Sequence, residues 1–244
     1  MIPVTSPFPP GLIVIVTGMI PRFHEFVDSF DALHVPDGTC KIRRGGPDCD
    51  TNRNVSIRMM PPESKWALFL DDDQEFASDT LMRLLYGLYE NPGIDALTGW
   101  YVRKTPPFGP VLFKVNQPGS AQTFDRLTYR ELAEARKHGP LFQIGACGGG
   151  MLLMRREALD RIGDPWFSPG PGRQWGGDLG LGGAMLHSGM KLFADLSIPV
   201  GHTMPAVITP EWDEAEQQWY VRFSFGGKGF RIPASQFKSE TERV

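Results

Sequence analysis

The sequence predicts a single α/β domain with a mainly parallel central sheet flanked by helices. Leu12–Thr17 and Trp66–Leu70 are short, continuous apolar runs, which is typical of strands buried on both faces. Apolar residues also recur at helical spacing in the segments that follow such runs. A chain of 244 residues can bury one substantial core, which favours one large domain over two independent ones.

Predicted helices and strands alternate along most of the chain, as in βα units. The predicted strands are 12–17, 40–43, 66–70, 94–102, 151–154 and short runs near Leu192 and Ile198. The predicted helices are 22–33, 50–60, 79–90, 156–162 and a segment from about Asp178 to His187.

Two regions fit this alternation poorly. The segment 103–122 is rich in Pro and Gly and precedes an amphipathic stretch at 127–138, so we expect an excursion and lid outside the central sheet. The tail from about Pro210 alternates apolar and polar residues near 219–225, which predicts an added edge hairpin.

Bulk properties restrict the possible partners and the compartment. A formal charge of -3 gives no general attraction to nucleic acid, which we do not expect as a partner. The three cysteines form no CxxC pair, which favours a reducing cytoplasm. The longest apolar stretch, 11–20, is too short to cross a bilayer, so we expect no integral membrane anchor.

Three consecutive carboxylates, Asp71, Asp72 and Asp73, follow the buried strand at 66–70 without a turn residue between. Ligands of open α/β sheets bind beyond the carboxyl ends of the strands. Adjacent carboxylates repel one another, and hard oxygen ligands favour Mg²⁺ or Mn²⁺. The run therefore predicts a cation site, with a solvated acidic turn as the simpler alternative.

The string WALFLDDDQEF at 66–76 resembles the DxD segment of GT-A glycosyltransferases, especially the inverting family 2. The resemblance implies a GT-A, Rossmann-like fold, a nucleotide-sugar donor, with a UDP-sugar as the default, and an acceptor hydroxyl. It also implies that Asp71 binds the donor and the metal, that Asp73 is the principal metal ligand, and that Asp72 helps to bind the donor.

Two later motifs continue this resemblance. Gly177-Asp178 lies where the family has a Glu-Asp pair, and Val200-Gly201-His202 resembles its late Gly-His. These positions imply that Asp178 is the catalytic base, which predicts inversion at the anomeric carbon, and that His202 completes the metal shell. Gly177 departs from the pattern because the family has an acid there.

Further site residues are predicted nearby. Arg53 resembles a family position that holds the donor, although an ordinary helix-face arginine is an equal alternative. Thr17, at the end of the first strand, is a candidate nucleobase contact or a strand-terminal cap. The glycines at 148–150 leave room for a close approach of sugar or acceptor, and Trp175 is a candidate for stacking on a sugar.

The resemblance covers about 11–202 and implies one domain over 1–244. Its donor-binding half would be about 11–102, its acceptor and catalytic half about 140–205, and its C-terminal tail 206–244. The acceptor class stays open among glycans, proteins, lipids and small molecules.

Other functions can use the same acidic run. A Mg²⁺-dependent nucleotidyltransferase also holds metal at strand ends, but its glycine-rich basic signature is missing after the first strand, and an aspartyl-nucleophile phosphatase would carry different residues after the acids. A non-catalytic binder of nucleotide-sugars or glycans is the remaining alternative, favoured by the missing acid at Gly177.

Overall fold

A computed structural model describes residues 1–18, 23–46, 48–104, 107–116, 123–168, 176–204, 206–225 and 228–237. The helices are α1 (His24–Ala32), α2 (Cys49–Arg58), α3 (Thr80–Tyr89), α4 (Tyr129–Arg136), α5 (Arg156–Ile162) and α6 (Gly177–His187). The strands are β1 (Ile2–Val4), β2 (Leu12–Thr17), β3 (His34–Pro36), β4 (Cys40–Gly45), β5 (Trp66–Asp71), β6 (Gln74–Glu75), β7 (Ala96–Trp100), β8 (Leu112–Val115), β9 (Phe124–Arg126), β10 (Leu141–Ile144), β11 (Ala146–Cys147), β12 (Met151–Arg155), β13 (Leu192–Pro199), β14 (Gly201–Met204), β15 (Ala206–Asp213), β16 (Gln218–Phe225) and β17 (Lys228–Pro233).

The central sheet has seven strands in the order β10-β13-β7-β12-β5-β2-β4. The pairs of β2 with β4, of β2 with β5 and of β13 with β7 are parallel, whereas β10 and β12 run antiparallel to their neighbours. The predicted mainly parallel sheet is therefore confirmed. The acidic run leaves β5, near the middle of the sheet.

Helices cover both faces of this sheet because side chains of a strand alternate between faces. Ile13 and Ile15 of β2 share a buried cluster with residues of α1 and α3. Val14 and Val16 share another cluster with residues of α2, α5 and α6. The two clusters make a helix–sheet–helix arrangement.

The tail differs from the predicted edge hairpin. Strands β15, β16 and β17 join β14 and β6 in a second sheet with the order β17-β16-β15-β14-β6. The alternating pattern near 219–225 correctly predicted a strand. The pattern does not predict which other strand it pairs with. Since β6 starts one residue after Asp73, the acidic run is the turn that connects the two sheets.

Other expectations were met in part. Strand β8 pairs with β11 on one side and with β9 on the other, in a three-stranded sheet outside the central one, as predicted for the excursion. Residues 105–106 and 117–122 lie outside the described residues. Leu192–Pro199 is one continuous strand instead of two short ones. In the described parts of the chain, no helix is long and apolar enough to cross a membrane.

Candidate active site

The carboxyl ends of neighbouring strands bring the candidate residues together. The acids follow β5, Lys104 lies four residues after β7, and His202 follows β13. Because β5, β7 and β13 point the same way, these segments meet at one edge of the sheet. α2, which follows β4, contributes Arg53 at the same edge.

The three acids have separate partners. Asp71 accepts a hydrogen bond from Arg53, Asp72 accepts one from the Gly18 N–H at 3.2 Å, and Asp73 pairs with Lys104. Their backbone is fixed by neighbouring strands, since the Asp72 N–H donates to the Val16 carbonyl at 3.2 Å. The run therefore presents three carboxylates in three directions.

Arg53 is the centre of the first group, which we call the Arg53 cluster: Arg53, Asp50, Asp71 and Asp178. Its Nη2 lies 2.7 Å from Asp71 Oδ1, and its Nη1 lies 2.9 Å from Asp178 Oδ1 and 3.7 Å from Asp50 Oδ1. Its guanidinium also lies over the Phe167 ring, 5.1 Å from the centroid. Arg53 is 3% exposed, so it is no ordinary helix-face arginine.

The charges of this cluster act on one another. Burial alone would lower the pKa of Arg53, but the carboxylates of Asp71 and Asp178 outweigh it and raise that pKa above its ordinary value. Enclosure by protein, and the nearby charges of Asp178 and Asp73, raise the pKa of Asp71, with Arg53 acting in the opposite direction. One permanent cation thus faces three carboxylates, which leaves an excess of negative charge.

The second group, the Asp73 cluster, consists of Asp73, Lys104 and His202. Lys104 Nζ bonds to Asp73 Oδ2, and His202 Nε2 lies 3.7 Å from Asp73 Oδ1. Burial would raise the pKa of Asp73, but His202 and Lys104 outweigh it and lower that pKa to about 2. Asp73 is therefore ionised across the physiological range.

Asp73 and His202 fit a divalent cation. His202 Nδ1 lies 2.7 Å from the Val102 carbonyl oxygen, which only accepts, so Nδ1 carries a proton and Nε2, on the side of Asp73, is the nitrogen that would bind a metal. Two donors 3.7 Å apart can share an ion that binds each at about 2.1 Å. The described residues contain no group of three or more His, Cys, Asp or Glu side chains arranged for a metal. Asp73 and His202 would therefore be two of the ligands of such an ion.

Asp178 is the second residue of α6, directly after Gly177. The Gly177 N–H donates to Asp50 Oδ2 at 3.0 Å, and a Cβ at Gly177 would lie 2.3 Å from the Asp50 carboxylate. The Asp50 carboxylate, from α2, thus occupies the side-chain space of residue 177, where the family pattern has an acid and this sequence has glycine.

The glycines at 148–150 make room for the protein's own side chains. A Cβ at Gly149 would lie 2.8 Å from Arg53 Cζ and from Asp178 Oδ1. The Gly150 N–H donates to the Tyr101 hydroxyl at 3.1 Å. The backbone at these glycines lies close to site side chains, and the close approach of a sugar or an acceptor stays a prediction.

Thr17 contacts the neighbouring strand. Its Oγ1 donates to the Arg44 carbonyl at 3.3 Å, which fits the strand-terminal alternative, and the nucleobase contact stays a prediction. Trp175 lies outside the described residues.

Sequence reasoning missed Asp50, Tyr101 and Lys104. Asp50 lies three residues before Arg53 on a predicted helix, a spacing that places both on one helix face. Tyr101, whose ring packs edge-on against His202 at 5.0 Å, is near the end of the predicted strand 94–102, and Lys104 follows that strand. Their place at a carboxyl end was the available signal.

Comparisons with known proteins give structural likeness alone. No protein-family model matches the chain, and no curated protein matches it. A solved structure of A197 from STIV matches with a TM-score of 0.57 and 14% identity, covering 86% of this chain and 93% of that one.

A second match is GalNAc-T7, solved with UDP, GalNAc and Mn²⁺, with a TM-score of 0.50 and 13% identity. It covers 81% of this chain, which spans 44% of that protein. At these identities the likeness shows the fold. The chain therefore has a GT-A-like α/β fold, as the sequence predicted.

Proposed function

We propose that this protein is a metal-dependent glycosyltransferase that moves a sugar from a nucleotide-diphosphate donor to an acceptor hydroxyl with inversion. One observation carries the proposal. Arg53 joins Asp71, at the carboxyl end of a central strand, to Asp178 on α6, while Asp73 faces His202 across 3.7 Å at the same edge.

The Asp73 cluster is the proposed metal and diphosphate side. Asp73 and His202 would hold Mn²⁺ or Mg²⁺. Asp71 is also predicted as a ligand, and its Oδ1 accepts a hydrogen bond from Arg53. A bound divalent ion supplies charge stabilisation for the departing diphosphate. Lys104, released from Asp73, is long enough to bind a phosphate oxygen as a second cation.

Asp178 is the proposed base. Its Oδ1 accepts from Arg53, which fixes the carboxylate, and Oδ2 takes the proton of the acceptor hydroxyl. A hydroxyl is a poor nucleophile at neutral pH, so a carboxylate within hydrogen-bond reach is needed as it attacks. Attack from the face opposite the diphosphate gives inversion.

The donor is proposed to be a UDP-sugar. The default came from the family resemblance, and the structural match to GalNAc-T7 solved with UDP and Mn²⁺ supports UDP and Mn²⁺ as the first ligands to test. We retain the predicted division into a donor half at 11–102, an acceptor half at 140–205 and a tail at 206–244.

Thermal melting with a panel of nucleoside diphosphates, each with and without Mn²⁺, tests the donor site. A ligand present at 100 times its Kd stabilises by about 2.7 kcal/mol. We expect one nucleotide to raise the melting temperature only with Mn²⁺, and Asp73→Ala to abolish that shift. Asp160→Ala is the matched control, since Asp160 is 65% exposed on α5. No shift with any nucleotide would refute the proposal.

Turnover separates the enzyme from a binding protein. With the matching nucleotide-sugar and Mn²⁺, an enzyme releases nucleoside diphosphate, and a binder shows the melting shift without release. A nucleotidyltransferase would instead release pyrophosphate from a nucleoside triphosphate. NMR of the transferred sugar then tests inversion, and a retained anomeric configuration would remove Asp178 from the role of base.

A further inference from the structure

We infer that Asp50 is a positioning residue for Asp178, acting through the backbone of Gly177, and that glycine at 177 leaves the space that the Asp50 carboxylate fills. The inference rests on the proposed function only in naming Asp178 the base. The contact between Asp50 and Gly177 is independent of that function.

The contact leaves no room for a side chain. Gly177 N–H donates to Asp50 Oδ2 at 3.0 Å, and a Cβ at Gly177 would lie 2.3 Å from Cγ and both oxygens of Asp50. The neighbouring Gly176 is different, since a Cβ there would have nothing within 4 Å. A side chain at 177 would therefore force the Asp50 carboxylate to move, whereas one at 176 would not.

Asp50 and Arg53 hold the start of α6 at two points. Three residues apart, they lie on one face of α2. Arg53 Nη1 binds the Asp178 carboxylate at 2.9 Å, and Asp50 binds the N–H of the preceding residue. One contact fixes the side chain of Asp178 and the other fixes the backbone that carries it.

The start of α6 needs this partner. Its N-cap residue is Gly176, which has no side chain to accept from the free N–H groups of the first turn. The Asp50 carboxylate accepts one of them from another helix and places negative charge near the helix N-terminus, where it is stabilising. Burial, and then the charge of Asp178, raise the pKa of Asp50, which is consistent with two carboxylates held close together.

Four variants of the full chain test the inference. Asp50→Asn keeps an oxygen acceptor for the Gly177 N–H, and Asp50→Ala removes it. Gly177→Ala adds the clashing Cβ, and the double variant Asp50→Gly with Gly177→Asp returns a carboxylate from the α6 side. Gly176→Ala is the control for adding a methyl group at an adjacent glycine with open space.

The melting temperatures of the variants test the contact between Asp50 and Gly177 without any substrate. We expect Gly177→Ala to lower the melting temperature by roughly 5 °C, since overpacking at a filled site is destabilising, and Gly176→Ala by less, about 2–4 °C, because alanine is a poorer N-cap than glycine. The double variant should melt above Gly177→Ala. Equal melting of Gly177→Ala and Gly176→Ala would overturn the steric part of the inference.

Enzyme kinetics test the positioning role of Asp50, with the donor and acceptor found for the wild type. Misplacement of a catalytic group can lower the rate by about 100-fold, and we expect Asp50→Ala to lower kcat at least about tenfold with the donor KM within about threefold. Asp50→Asn should keep most of kcat, because it restores the acceptor oxygen.

Two results would overturn the positioning role: a kcat of Asp50→Ala within twofold of wild type, or equal losses in Asp50→Asn and Asp50→Ala. Absence of turnover in the wild type would refute the proposed function instead. The melting comparison of the variants at 176 and 177 would then still decide whether Asp50 and Gly177 are in contact.

Discussion

The Arg53 cluster and the Asp73 cluster lie at one edge of the same sheet and neutralise carboxylates differently. Arg53 is 3% exposed and bonds to two carboxylates, whereas Lys104 and His202 keep 22% and 15% of their side chains exposed and pair with one. A guanidinium stays charged and bridges acids in a fixed geometry. The Lys104 ammonium, on its flexible side chain, can move away from Asp73. The first cluster is thus suited to a permanent structural role, and we propose the second as an exchangeable cation site.

The largest effect is expected from Arg53→Met. Removing the cation leaves Asp71 and Asp178 uncompensated, and breaking a buried ion pair in this way costs about 3–5 kcal/mol. Urea unfolding of the variant and the wild type measures the change. The matched control is Arg58→Met on the same helix, whose pair with Asp164 is about half exposed and contributes about 1 kcal/mol or less. Similar losses in the two variants would show that Arg53 is not a structural centre.

Asp73→Asn should chiefly remove function. The substitution keeps the side-chain shape and removes the charge that would hold the metal, so we expect kcat/KM to fall at least about 100-fold, as when one charge-stabilising group is lost. Release of nucleoside diphosphate at several Mn²⁺ concentrations measures it. Activity of Asp73→Asn at the wild-type level would move the metal site away from the Asp73 cluster.

Lys104→Ala should tighten the binding of Mn²⁺ alone, because a metal then no longer displaces an ammonium from Asp73. We expect a gain of about tenfold, or about 1.4 kcal/mol, read from the free Mn²⁺ signal in electron paramagnetic resonance. Lys114→Ala is the control, since Lys114 pairs with Glu131 at 2.6 Å, outside both clusters. Weaker Mn²⁺ binding in Lys104→Ala would show that the ammonium and the metal do not compete.

The smallest effect is expected from Thr17→Val, at the same sheet edge but outside both clusters. It removes one half-buried hydrogen bond to the Arg44 carbonyl, so we expect a loss of about 1 kcal/mol in stability. If Thr17 is only a strand-terminal residue, nucleotide affinity stays within about twofold of wild type, a change of about 0.4 kcal/mol. A tenfold loss of affinity measured by calorimetry would place the nucleobase at Thr17.

The sequence alone determined the fold class and the position of the acidic run. Continuous apolar runs such as Leu12–Val16 and Trp66–Leu70 are typical of strands buried on both faces, and these strands are buried in the structure. The acids directly follow such a strand, so their place at its carboxyl end required no tertiary information.

Tertiary structure alone decided what those acids contact. Arg53 reaches Asp178 across 125 positions, and Asp50 reaches Gly177 across 127. The second sheet likewise joins β6 to strands near the end of the chain. Local patterns report whether a residue is buried and in which element, because both depend on neighbours in sequence. Partners brought together by chain packing depend on the whole fold, and the ligand-facing geometry of this site consists of such partners.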